Sequence, residues 1–177
     1  MNVVALELEG VLGIIEESHS DSRGSLTRVW ESNSIFGSFN LIQSSIVTNP
    51  ASRTLRGLHY QAEPFSENKI VECISGKVFD VIVDLRKDSS TYGRHLEIEI
   101  GPREPYLGLF VPSGCAHGYI TLEANSTLIY FMDKEYSAEH ARGIHWRDRS
   151  LLIEWPSAPS IISERDSLWP EFHLNQS

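Results

Sequence analysis

Apolar and polar residues alternate along this chain with a period of two, not the 3.6 of a helix. Leu96-Glu97-Ile98-Glu99-Ile100 alternates strictly, as a strand does when one face is buried and the other wet. In the segment 78–85, Phe79, Val81, Val83 and Leu85 share one face and Val78, Asp80, Ile82 and Asp84 the other, which aims two carboxylates at a polar interior. Tyr106 to Val111, Tyr119 to Leu122 and Thr127 to Met132 are further strand segments. Ser75-Gly76 is expected to close a hairpin, Pro112-Ser113-Gly114 to stop a strand, and Glu123-Ala124-Asn125-Ser126 to turn between two. Helix signals are confined to Asn33–Ser38 and Ser137–Arg142. Many short strands punctuated by turn residues predict an all-β fold, an antiparallel sandwich or barrel with a few short helices. No repeat, low-complexity tract or linker interrupts the pattern. One domain is expected over residues 1–177, with 157–177 wrapping the barrel.

A length of 177 residues suffices for one real core. The net charge of −9 argues against nucleic acid or an anionic membrane as partner, since both need a basic face. It leaves room for a small anionic ligand in a locally basic pocket. Two cysteines, Cys73 and Cys115, are too few for a disulfide framework and are expected as buried thiols. The opening stretch carries Glu7 and Glu9 and no basic flank, so it does not read as a signal peptide. No apolar run reaches the ~18 residues of a membrane span. A cytoplasmic enzyme or binding protein is the expectation.

The candidate chemistry lies in Leu55-Arg56-Gly57-Leu58-His59-Tyr60-Gln61, followed by Lys69. Arginine, histidine and lysine this close together in an acidic chain suggest an anionic ligand, and a histidine with a pKa of about 6.5 can move a proton near neutrality. A solvated basic edge is the plainer alternative. Metal-binding barrels of this class often use His-x-His on one strand, where period two sets both imidazoles on one face. Here that position reads His59-Tyr60-Gln61, and an amide is a poor transition-metal ligand. His19, His95, His117, His140, His145 and His173 form no close pair at strand spacing. No metal and no other cofactor is expected.

These residues resemble the dTDP-4-dehydrorhamnose 3,5-epimerase family. The resemblance begins at Asp21-Ser22-Arg23-Gly24 and runs through the Arg56–Gln61 motif, Lys69, Gly76-Lys77-Val78-Phe79-Asp80-Val81 and Pro112-Ser113-Gly114-Cys115-Ala116-His117-Gly118. It closes at Arg142-Gly143-Ile144, Glu154-Trp155-Pro156 and Ser163-Glu164-Arg165-Asp166. It implies a metal-free cupin jelly roll, normally a homodimer. It also implies an isomerase that epimerises a nucleoside diphosphate 4-keto-6-deoxy sugar at C3 and C5, in deoxysugar and polysaccharide biosynthesis. That chemistry needs a base, an acid on the opposite face and a cation at the enolate. By resemblance the base is His59, its orienting partner Asp166, the opposite acid Tyr130 and the cation Lys69. Arg23, Arg56 and His117 match positions on the diphosphate side, Gln43 one that contacts the nucleotide, and Tyr136 an aromatic that stacks on the base.

Three positions depart from the family pattern, all at its nucleotide end. Arg28 stands where an acidic residue is usual, in a substrate-contacting segment that by resemblance crosses to a partner subunit. Ser45 stands where Asn is common and Ala141 where Glu is common. They raise the alternative of a different nucleotide carrier. Epimerisation at C3 only is a separate alternative, since Tyr130 permits reprotonation at both centres without requiring it. A metal-dependent cupin and a non-catalytic sugar-nucleotide binding module remain the readings from other classes.

Overall fold

The computed structural model describes residues 2–31, 36 and 39–172. Among them are fourteen strands and one short helix. β1 (Asn2–Ala5), β2 (Leu12–Ile15), β5 (Gln43–Asn49), β7 (Lys69–Ser75), β10 (Gly108–Val111) and β12 (Ser126–Met132) form one sheet in the order β1-β2-β10-β7-β12-β5. β6 (Thr54–Gln61), β8 (Val78–Asp84), β9 (His95–Ile100), β11 (Cys115–Thr121) and β13 (Ala141–Gly143) form the other, in the order β13-β6-β11-β8-β9. β14 (Ile161–Ile162) adds to β6 in parallel, and β3 (Ser18–Asp21) and β4 (Gly24–Thr27) make a separate hairpin. Apart from β14 the pairings are antiparallel, and the architecture is the expected jelly roll.

Pleating sorts the apolar residues into three clusters. Val71, Cys73, Leu109 and Leu128 from the first sheet meet Val78, Ile82 and Tyr119 from the second in the interior. Ile70, Phe110 and Phe131 pack on the outside of the first sheet with Trp30, Phe36 and Phe39. Leu58, Val81, Val83 and Ala116 pack on the outside of the second, under Ile144, Leu151 and Trp155. Near the C-terminal end of the described residues, Trp169 lies against Gly143, and His145 N–H donates to Pro170 O.

Several local expectations are corrected. Ser75-Gly76 does not close a hairpin, because β7 and β8 belong to different sheets and the chain turns a corner there. Gly76 has φ +75°, and a Cβ on it would sit 2.8 Å from Ser126 Cα, so the corner needs glycine. Ser137–Arg142 is a tight turn running into β13, not a helix. Asn33–Ser38, Phe36 excepted, and His173 lie outside the described residues. Asp80 and Asp84 are fully buried, but neither opens onto a cavity. Asp80 is closed off by His117, and Asp84 by Arg86, Ser89 and Thr91. Cys73 and Cys115 are buried free thiols, and burial pushes both to about 12.

Glu72 was not singled out by the sequence. It lies on the same face of β7 as Ile70 and Ile74 and is fully buried, with neither carboxylate oxygen hydrogen-bonded among the described residues. Burial pushes its carboxyl up to about 8 from an ordinary value of 4.5. The folded chain therefore keeps a proton that the unfolded chain gives up above pH ~4.5, so stability falls as pH rises from there towards ~8. At about 1.4 kcal/mol per pH unit the loss is roughly 3 kcal/mol by pH 7. Glu72→Gln should remove this slope. In thermal unfolding against pH, the variant is expected to match wild type near pH 4.5 and exceed it at pH 8. Parallel pH profiles would count against the assignment.

Candidate active site

The site is built around β6. At Gly57 (φ +123°) a Cβ would come within 2.5 Å of Gly118 Cα on β11, so only a glycine pair lets these two strands approach so closely. That approach sets His59 directly opposite His117 in the strand register. β14 then runs parallel to the start of β6 and delivers the short helix α1 (Glu164–Ser167). Ser163 caps this helix by accepting from Asp166 N–H at 3.1 Å.

The capped turn aims Asp166 at His59. Asp166 Oδ1 accepts from His59 Nε2 at 2.6 Å and from Trp169 Nε1 at 3.2 Å, and Oδ2 accepts from Gly57 N–H at 3.2 Å. Burial works to raise this carboxyl. The hydrogen bond and charge of His59, with the Gly57 and Trp169 donors, outweigh it and hold Asp166 below the usual carboxylate range. The ionised carboxylate directs the imidazole proton to Nε2, which leaves Nδ1 as the nitrogen with a free lone pair. The His59 side chain is 45% exposed, so this base is open to a ligand.

His59 opens into a cavity of about 290 Å³ between the two sheets. Lys69, Tyr130, Arg56, His117, Gln43 and Tyr136 line the same space. Tyr130 enters on β12 of the first sheet, across from His59 on β6 of the second. Burial pushes its phenol well above its ordinary value, with Tyr119 and Asp80 adding to the shift. The phenol therefore carries its proton throughout the neutral range. His117 Nε2 hydrogen-bonds Asp80 Oδ2 at 2.8 Å, and both residues are buried. Arg56 Nε donates to Asn49 Oδ1 at 2.9 Å, and Gln43 Oε1 accepts from Tyr136 N–H at 3.1 Å.

The sequence-predicted residues thus converge, with two exceptions. Arg23 and Arg28 are not among the cavity's lining residues. Arg23 stands on the β3–β4 hairpin, 88% exposed and paired with Asp21, and Arg28 pairs with Glu31. Gln61, read as the gap in a metal motif, has a different occupation. Its amide donates to Phe65 O and Glu135 O and accepts from Ser137 N–H, tying together the loops at the mouth. Sequence reasoning missed Glu67, Lys134, Arg142 and Arg165, which also line the cavity. Arg165 adjoins Asp166 in the same motif, and that adjacency was the available signal. Five of the lining side chains are Lys or Arg and one is a carboxylate, so a diphosphate is favoured despite the acidic chain. Ser45 and Ala141 line the cavity as well.

Comparison with known proteins agrees with this geometry. The family model for dTDP-4-dehydrorhamnose 3,5-epimerase matches residues 5–173. The dTDP-4-dehydrorhamnose 3,5-epimerase of Sinorhizobium fredii is 42% identical over 131 residues, covering 73% of this chain and 67% of its own. That of Shigella flexneri is 34% identical over 169 residues, 94% of this chain and 93% of its own. The crystal structure of the Bacillus anthracis enzyme with TDP and PPi bound superposes with a TM-score of 0.90 at 30% identity, covering 97% of this chain and 99% of that one.

Proposed function

This chain belongs to the dTDP-4-dehydrorhamnose 3,5-epimerase family, and we propose on that footing that it epimerises a dTDP-linked 4-keto-6-deoxy sugar at C3 and C5. His59 Nδ1 takes a proton from the carbon beside the ketone, and the Asp166 carboxylate stabilises the imidazolium that forms. The negative charge gathers on the sugar's carbonyl oxygen, where the Lys69 ammonium meets it. Tyr130 gives a proton to the same carbon from the other side, and the configuration inverts. The observation that carries this reading is the placement of His59 and Tyr130 on facing sheets across one cavity. Base and acid on opposite faces are what inversion requires, whereas binding alone does not.

Arg56, His117, Gln43 and Tyr136 would hold the nucleotide diphosphate. Arg23 and Arg28 fit this scheme in a cytoplasmic homodimer, with the exposed β3–β4 hairpin of one subunit reaching over the cavity of the other. The single catalytic unit spans 1–177. A second reading, altered nucleotide discrimination, is favoured by Ser45 and Ala141 lying in the cavity wall, where an amide and a carboxylate are replaced by smaller groups.

Solvent-deuterium incorporation into 4-keto-6-deoxy sugars carried on dTDP, UDP, GDP and CDP tests both readings. Label at C3 and C5 of the dTDP sugar, with turnover of the others at least about tenfold lower, supports the first. Comparable turnover on another carrier supports the second. Label at C3 alone would restrict the reaction to one centre, and no label in any sugar would remove the epimerase reading.

A further inference from the structure

The cavity of a protein that takes an anionic ligand holds one carboxylate, that of Glu67. Glu67 and Lys69 are each 7% exposed, and Glu67 Oε1 lies 2.7 Å from Lys69 Nζ. The other oxygen, Oε2, is buried without a hydrogen-bond partner. Lys69 is therefore the side-chain partner of Glu67 among the described residues.

Such a pair is poorly explained by stability. Two buried charges are costly to desolvate, and an apolar pair of the same volume commonly does as well. An unpaired carboxylate oxygen adds a further cost. Nor does Glu67 help to bind a diphosphate, which it repels. Its geometry serves Lys69. Glu67, just ahead of β7, and Lys69, its first residue, both line the cavity, whereas Asn68 between them does not. Asn68 N–H and Nδ2 donate to the Asp133 carboxylate at 2.8 and 2.6 Å, and Asn68 Oδ1 accepts from Ser113 N–H at 2.9 Å. The backbone beneath the pair is thus riveted to two neighbouring segments. A lysine ammonium is a point charge on a flexible stem. Glu67 removes that freedom before the substrate arrives.

We propose that Glu67 is a positioning residue for the epimerisation, seating the Lys69 ammonium where the enolate oxygen forms. The inference rests on the reading of Lys69 given above. Its worth is realised in the transition state, since an already oriented donor needs no rearrangement as charge develops.

A double-mutant cycle of Glu67→Gln and Lys69→Met, read by kcat, KM and thermal unfolding, separates the two claims. Glu67→Gln keeps the shape and removes the charge. It should lower kcat by about 10- to 100-fold while KM stays within about threefold of wild type. In the Lys69→Met background the same change should have no further effect on kcat. A kcat for Glu67→Gln within about twofold of wild type, or a loss confined to KM, overturns the proposal. So does an undiminished effect in the Lys69→Met background, which would mean that Glu67 touches the substrate itself. Full turnover by Lys69→Met would instead sink the reading of Lys69. The double variant leaves no unpaired charge, so a folding defect in a single variant does not leave the test without an answer.

Discussion

Replacing His59 by Ala should abolish solvent-deuterium incorporation into the 4-keto sugar, a loss of about 10⁴-fold or more, while dTDP affinity should stay within about threefold of wild type. The split follows from what His59 touches. Its Nε2 is committed to Asp166, which leaves Nδ1 unengaged, so truncation removes the proposed proton acceptor and none of the Lys or Arg side chains of the cavity. Arg56, Lys134, Arg142 and Arg165 still line the cavity. Among the described residues that line the cavity, His117 is the other imidazole. His117 is buried with its Nε2 engaged by Asp80. The measurements are NMR detection of exchange at C3 and C5 and isothermal titration of dTDP. Residual exchange within about a hundredfold of wild type would place the base elsewhere.

Replacing Tyr130 by Phe should uncouple exchange from inversion. The His59–Asp166 pair is intact in this variant, so a C–H proton can still leave and return on the same face. What is lost is the donor on the far wall. Formation of the inverted sugar is expected to fall about 10³-fold, with a much smaller loss of deuterium wash-in. The elevated Tyr130 phenol bears on the pH dependence too. Because burial, Tyr119 and Asp80 hold it well above its ordinary value, it stays protonated through neutrality, and the inversion rate should show no alkaline fall from this group below pH ~10. Vicinal coupling constants of the product distinguish the epimers. Inverted product formed at a rate within about tenfold of wild type would remove Tyr130 from the mechanism.

The alternation in Leu96–Ile100 was enough to specify a half-buried strand, and β9 follows it, with Leu96, Ile98 and Ile100 on the core side. The faces of β8 were also readable, because a pleat puts alternate residues on opposite sides whatever the strand packs against. The fate of its carboxylates was not. Whether an inward Asp80 meets a ligand or a histidine depends on what β11 brings alongside, and β11 pairs with β8 in a register that the alternation does not reveal. Turn residues were located correctly and misread in kind for a related reason. Glycine at Gly76 signals a reversal of the chain, and the same reversal serves a hairpin or a corner between sheets.

The site divides along the same line. The motif residues from Arg56 to Gln61, with Lys69, are local and were identified from the sequence with their family roles. Tyr130 stands in an apolar run, and its role there came from resemblance alone, since its own surroundings in sequence are those of a core aromatic. Glu67 and Glu72 attracted no notice, because a glutamate's meaning lies in its burial and partners. One is paired with Lys69 in the cavity wall, and the other has no hydrogen-bond partner among the described residues.

By itself the sequence determined the strand class, the faces of individual strands and the residue types from which a proton-transfer site could be made. The tertiary structure decided which of them meet. His59 and Asp166 are 107 positions apart and touch because β14 pairs in parallel with β6. His59 and Tyr130 line one cavity from opposite sheets because β6 and β12 belong to different sheets. Alternation is set within a strand by backbone geometry and needs only neighbours in the chain. Juxtaposition across sheets depends on which edges pair and where the connections cross, and so on the cooperative burial of the whole core.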